Sequence, residues 1–124
     1  MITRKEAKKI LQIDSLAPST TSEVRFSEVL SLSKVSSVAI TAQATFNASA
    51  TGDVVIHILA DVDGGSPDTI DFETLTLTCS AGKTVQRTVK VNKEPLFLRV
   101  TAENKDANYA ATNIKVYAIL GYEE

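Results

Sequence analysis

The chain has 124 residues, a formal net charge of −2 and one cysteine, Cys79. Those values exclude several classes: one cysteine cannot form an internal disulfide, a 44% apolar fraction is too high for a disordered chain, and a net acidic chain is a poor nucleic-acid binder. No segment approaches the ~18 consecutive apolar residues of a membrane-crossing helix. The basic start runs straight into KKILQID (8–14), with no apolar run long enough for a signal peptide, so synthesis and retention in the cytosol are expected.

Residues 3 to 13 read as a short basic helix. Thr3-Arg4-Lys5-Glu6 has capping-box form, with Ile2 placed to staple against Ala7. Ala7, Ile10 and Leu11 share one helical face, and Lys5, Lys8 and Lys9 lie largely off it. A helix of that length is unstable alone in water, so it is expected to dock. DSLAPSTTSE (14–23) reads as a linker, with Pro18 ending any helical continuation. The expected organisation is an arm over residues 1–23 and a body over 24–124.

The body is patterned for strands. VRFSEVLSLS (24–33) alternates Val24, Phe26, Leu30 and Leu32, and VSSVAITAQATF (35–46) alternates Val38, Ile40, Ala42, Ala44 and Phe46. DVVIHILADVD (53–63) is apolar on both faces, Val54, Ile56 and Ile58 on one and Val55, His57 and Leu59 on the other. Such a strand is central and covered twice; a helix, a loop or another subunit would supply the second cover. Gly64-Gly65-Ser66-Pro67-Asp68 is a turn. Strands follow at 69–80, 83–91, 96–103 and 111–122, with a tight Ala81-Gly82-Lys83 link and a polar NKDAN loop at 104–108. The fold expected is all-β: a single β-sandwich of seven or eight strands, jelly-roll-like, with a short N-terminal helical arm; an immunoglobulin-like strand order is the alternative.

No catalytic set emerges. His57, the one histidine, sits mid-strand among Val, Ile and Leu, where a core or interface role outweighs a triad. Cys79 is at an inward strand position and reads as an inert thiol. Gly82-Lys83-Thr84 looks like the tail of a phosphate-binding loop, but position 77 is Leu77 and a strand pattern follows. Asp61, Asp63, Asp68 and Asp71, with Glu73, crowd one strand end. Converging carboxylates can hold calcium, yet Gly65, Ser66 and Phe72 break the helix-loop-helix spacing, and a solvated hairpin tip accounts for them. The phenylalanines read as core; Tyr109, Tyr117 and Tyr122 could present rings. No cofactor is expected.

VVIHILADVDGGSPDT (54–69), SAGKTVQRTVKV (80–91), LFLRVTAENKDA (96–107) and TNIKVYAILGY (112–122) together resemble the small β-sandwich structural proteins of tailed-bacteriophage virions. The resemblance spans residues 35–122 and implies a non-enzymatic head decoration (cement) or other minor structural protein. It implies other virion proteins as partners, such as the major capsid or tail protein. It also implies self-association, trimers included, and location in the virion after synthesis in the host cytoplasm. The partner-binding set expected is Lys8, Lys9, Ile10 and Leu11 on the arm, and Val55, His57 and Leu59 on the body, with no membrane and no nucleic acid involved. The rival reading is a carbohydrate-binding module with calcium at the 61–73 turn.

Overall fold

A computed structural model describes residues 4–122 apart from 64 and 66. Among the described residues there are nine strands: β1 (Arg4–Leu16), β2 (Thr20–Thr21), β3 (Leu30–Ser31), β4 (Val35–Thr45), β5 (Val54–Asp61), β6 (Glu73–Leu77), β7 (Thr84–Val91), β8 (Phe97–Asn104) and β9 (Ala111–Tyr122). They form two antiparallel sheets. The first has the order β1-β9-β4-β7; the second has β2-β8-β5-β6, with β3 also on β8. The pairing is that of one long ribbon folded on itself, β1 with β9, β2 and β3 with β8, β4 with β7, and β5 with β6. The ribbon is then rolled so that β9 meets β4 and β8 meets β5.

The core lies between the sheets and is almost wholly aliphatic. Ile40, Ile56, Ile58, Leu75, Leu77, Leu98, Val100, Ile114 and Val116 are fully buried, and Phe46 is the aromatic among the buried set. Alternation along β4 and β9 places Val38, Ile40 and Ala42 opposite Leu120, Ala118 and Val116 on the inner face.

The expected N-terminal helix is absent: residues 4–16 are an edge strand of the first sheet, paired with β9 from Arg4 opposite Tyr122 to Leu16 opposite Ala111. Its cap residue Thr3 and staple residue Ile2 lie outside the described residues. The reason for the misreading is a β-bulge. Register shifts between Lys9 and Leu11, leaving Ile10 as the extra residue, so two consecutive side chains, Ile10 and Leu11, both turn into the core. In a helical projection the same pair, with Ala7, imitates one apolar face. The bulge has a bonding consequence too, because the Ile10 carbonyl accepts from the Glu28 amide at 2.9 Å. Pairing along β9 and burial of Ile10, Leu11 and Leu16 outweigh local helix propensity.

The strand expected over 24–33 is also interrupted. Val24–Phe26 forms a 3-10 turn, and only Leu30–Ser31 pairs with β8. Between β2 and β3 the edge of β8 is completed by hydroxyls. Ser22 Oγ accepts from the Ala102 amide at 2.9 Å and Ser27 Oγ accepts from the Val100 amide at 3.0 Å. Phe26 is consequently 53% exposed instead of core. Phe72, expected in the core, is exposed as well, and so is Leu96.

One end of the sandwich is tied by a polar knot. Asn104 Nδ2 donates to the carbonyls of Leu16, Ala17 and Tyr109 at 3.1, 3.3 and 2.9 Å, and Asn104 Oδ1 accepts from the Asp106 amide at 3.0 Å. Asp106, 2% exposed, accepts four backbone amides: Thr51 and Gly52 at 2.7 and 3.0 Å on Oδ2, Asn108 and Tyr109 at 2.9 Å each on Oδ1. Gly52 lies hard against this turn; a Cβ there would sit 2.4 Å from the Asp106 nitrogen and 2.5 Å from its Cα. Since the obstacle is backbone, it cannot swing away. Gly52→Ala is expected to lower the melting temperature by roughly 5–10 °C, measured by thermal denaturation; a melting temperature within about 1 °C of the parent would contradict the close approach.

Candidate functional site: a trough on the outer face of the second sheet

The outer face of β5 carries Val55, His57 and Leu59, of which Val55 and Leu59 are buried. β5 and β6 form a hairpin, and its return arm runs back along β5 before β6 begins. Asp61 bridges to Pro67, the Asp68 amide donates to the Ala60 carbonyl at 2.8 Å, and the Phe72 amide donates to the Ile58 carbonyl at 2.8 Å. Residues 69–71 are therefore extra opposite Leu59 and bulge out of the ladder. The bulge lies over Leu59, which is 8% exposed, while Ile70 at its crest is 80% exposed. At Leu59 the outer face of β5 therefore meets a loop of the same chain. Of the expected turn, Gly64 and Ser66 lie outside the described residues.

Between this bulge and the 21–24 segment runs an open trough of about 460 Å³, walled by Ser22 and Val24 on one side and Pro67 and Asp68 on the other. His57 stands in it, with Thr101 of β8 opposite. Imidazole Nδ1 lies 2.7 Å from Asp71 Oδ2, on the bulge, and Nε2 lies 2.9 Å from Glu103 Oε1, on β8. Carboxylates only accept hydrogen bonds, so both ring nitrogens donate when both contacts are made, and that ring is the imidazolium. Partial burial pulls the His57 pKa down, but the hydrogen bonds and charges of Asp71 and Glu103 outweigh it and raise the pKa above the ordinary 6.5.

The carboxylates weighed as a calcium set, and read instead as a solvated hairpin tip, have separate partners and positions. Asp61 is buried, with Oδ2 3.5 Å from Arg99 Nε and Oδ1 accepting from the Asp63 amide. Asp63 accepts from the Gly65 amide, Asp68 lines the trough and Asp71 holds His57. Among the described residues no three His, Cys, Asp or Glu side chains are grouped as a metal site. Cys79 is half-buried; burial, then the charges of Asp53 and Asp106, push its thiol up, so it stays protonated and is a poor nucleophile.

The expected arm contacts divide. Ile10 and Leu11 are 1% and 2% exposed and pack in the core of their own chain, so they are not available to a partner. Lys8 and Lys9 are exposed. Lys9 points to the outer face of the first sheet, in a row with Tyr117, Thr41 and Thr88. Lys5, Lys90 and Lys115 occupy the same face, since their partners Gly121, Ala39 and Gln43 alternate with the buried row. Cross-strand hydroxyl pairs, Thr41–Thr88 at 2.7 Å and Thr45–Thr84 at 2.8 Å, pave the rest. Sequence reading missed this face because Lys90 and Lys115 belong to strands far from Lys5 and Lys9; the period-2 alternation of lysines with buried residues was the available signal.

No protein-family model matches the chain, and no curated protein matches it. Solved structures do resemble it. PRD1 vertex protein P5 superposes with a TM-score of 0.52 at 14% identity, covering all of this chain and 99% of that one. A Bacillus endospore appendage protein, from a family of disulfide-linked pili, gives 0.47 at 18% identity over 97% of this chain and 89% of that one. The SPBc2 prophage-derived protein YomS gives 0.45 at 12% identity over 98% and 97%. At these identities the vertex protein establishes a shared fold.

Proposed function

We propose that the chain is a structural protein of a virus particle, a non-enzymatic capsid decoration protein that binds a protein lattice by surface complementarity and associates with copies of itself. The observation that carries this reading is the strand pairing. A folded ribbon rolled into β1-β9-β4-β7 and β2-β8-β5-β6 sheets supports a jelly-roll reading, and jelly rolls are an architecture of viral capsid domains. The full-length fold likeness to a viral vertex protein supports the same reading, as an analogy of fold. The lattice-facing surface we assign is the outer face of the first sheet, with Lys5, Lys9, Lys90 and Lys115 among threonines. It is broad, polar and basic, in a chain whose net charge is negative. Such a face steers toward an acidic surface and fixes orientation more than it adds affinity. The carbohydrate reading has less support, because the exposed rings Phe26, Phe72 and Tyr109 belong to three separate connections.

The test is whether the chain travels with particles. Gradient-purified particles from cells expressing the natural gene should contain it at a fixed ratio to the shell protein, with gold-labelled antibody on their surface; particles free of it overturn the proposal. Changing Lys5, Lys9 and Lys115 together to Glu should weaken particle binding by about tenfold or more, with an unchanged melting temperature. Wild-type binding should also fall as salt rises.

A further inference from the structure

We propose that His57 is a proton-operated latch that pins the 69–71 bulge over Leu59 and releases it when the imidazole loses its second proton. The argument is geometric. The ring is held between carboxylates on two different elements, Asp71 at 2.7 Å and Glu103 at 2.9 Å, and satisfying both requires a proton on each nitrogen. A neutral ring has one N–H, so one carboxylate must then face a nitrogen lone pair across hydrogen-bond distance. Glu103 sits within β8, which is paired with β5 along its whole length. Asp71 sits in the stretch that departs from the ladder between the Asp68 and Phe72 amides. The bulge is therefore the side that gives way.

The surroundings leave the imidazolium no competitor. From β8 the same face brings Arg99, which is turned to Asp61 at 3.5 Å. From β6 the residue opposite His57 is Thr74. The 21–24 segment contributes Thr21, Ser22 and Val24 to the trough, while its Glu23 is engaged by Arg25. Asp68, on the bulge, lines the same trough and adds a further acid. A histidine raised in the closed form favours closure below its free value of 6.5, and that contribution is lost as pH rises through the raised value. Opening bares Leu59 beside the already exposed Ile70, converting a covered strip of β5 into an apolar surface. This holds whatever the chain binds.

Amide hydrogen exchange, corrected for its intrinsic pH dependence, reads the latch directly. The Asp68 and Phe72 amides should exchange about tenfold faster or more at about pH 8.5 than at about pH 5.5, while β4 and β9 amides do not respond. His57→Gln should exchange fast at both values. Asp71→Ala, at an exposed position, removes only the acceptor on the bulge side and should do the same while the sandwich melts as before; it decides the matter if His57→Gln fails to fold. Imidazole ¹⁵N shifts should show both nitrogens protonated below about pH 6. Exchange in the wild-type bulge that ignores pH, or an Asp71→Ala bulge as protected as the parent, overturns the proposal.

Discussion

Removing residues 1–16 is expected to abolish cooperative folding, not merely to detach an appendage. The deletion strips Ile10, Leu11 and Leu16 from the core and leaves β9 as a bare edge. Three buried aliphatic side chains are worth about 1.5–3 kcal/mol each, against a total stability of about 5–15 kcal/mol for a domain of this kind. The lost β1–β9 ladder and the freed Glu28 amide add to that. Circular dichroism with thermal melting should show no sigmoidal transition for residues 17–124. Lys8→Ala, at an exposed position on the same strand, should change stability by no more than about 0.5 kcal/mol. A truncated chain that melts like the parent would show that β1 is an accessory after all.

The second large effect is expected at Asp106. Four backbone amides converge on its two oxygens, and they hold its carboxyl well below the usual carboxylate range, the Asn108 amide first, then those of Thr51, Gly52 and Tyr109. Asp106→Ala would leave those donors without an acceptor in a buried turn and loosen three chain segments together, 51–53, 104–109 and, through Asn104, 16–17. A drop in melting temperature on the order of 10 °C is expected. The pH dependence has a definite sign. A depressed folded value means that the stabilisation is present above the unfolded value of 3.8 and is lost as pH falls through the folded one. Asp106→Asn should therefore flatten the acid limb of a stability–pH curve measured from about pH 5 to pH 2; an acid limb as steep as the parent's would contradict the role.

What was legible in the sequence follows physical lines. The strands near 35–46, 83–91, 96–103 and 111–122 were visible from their period-two alternation, and the one near 53–63 from its short run of apolar residues on both faces. β1 was not, because its bulge puts Ile10 and Leu11 side by side and so imitates helical spacing. Ser22 read as a linker residue and Ser27 as ordinary polar alternation, though their hydroxyls complete the edge of β8, flanking a 3-10 turn where a strand was expected. Asn104 and Asp106 read as a polar loop and are among the most buried polar residues described. Nothing in composition separates a solvated loop from one whose side chains bind the backbone. At the trough, His57 was recognisable as unusual, but its two partners lie 14 and 46 residues away and meet it only through the hairpin bulge and the β5–β8 pairing.

The antiparallel match of β1 to β9 sets Arg4 beside Tyr122, with the guanidinium 4.3 Å from the ring centre. Entry and exit of the described chain therefore share one doorway. A body built this way can be spliced into a surface loop of a host protein without stretching it. Joining the two ends by a few residues and reopening the chain elsewhere should likewise leave both sheets intact. Cargo attached before Arg4 or after Tyr122 would leave from the same pole, which makes the scaffold suited to displaying two passengers side by side.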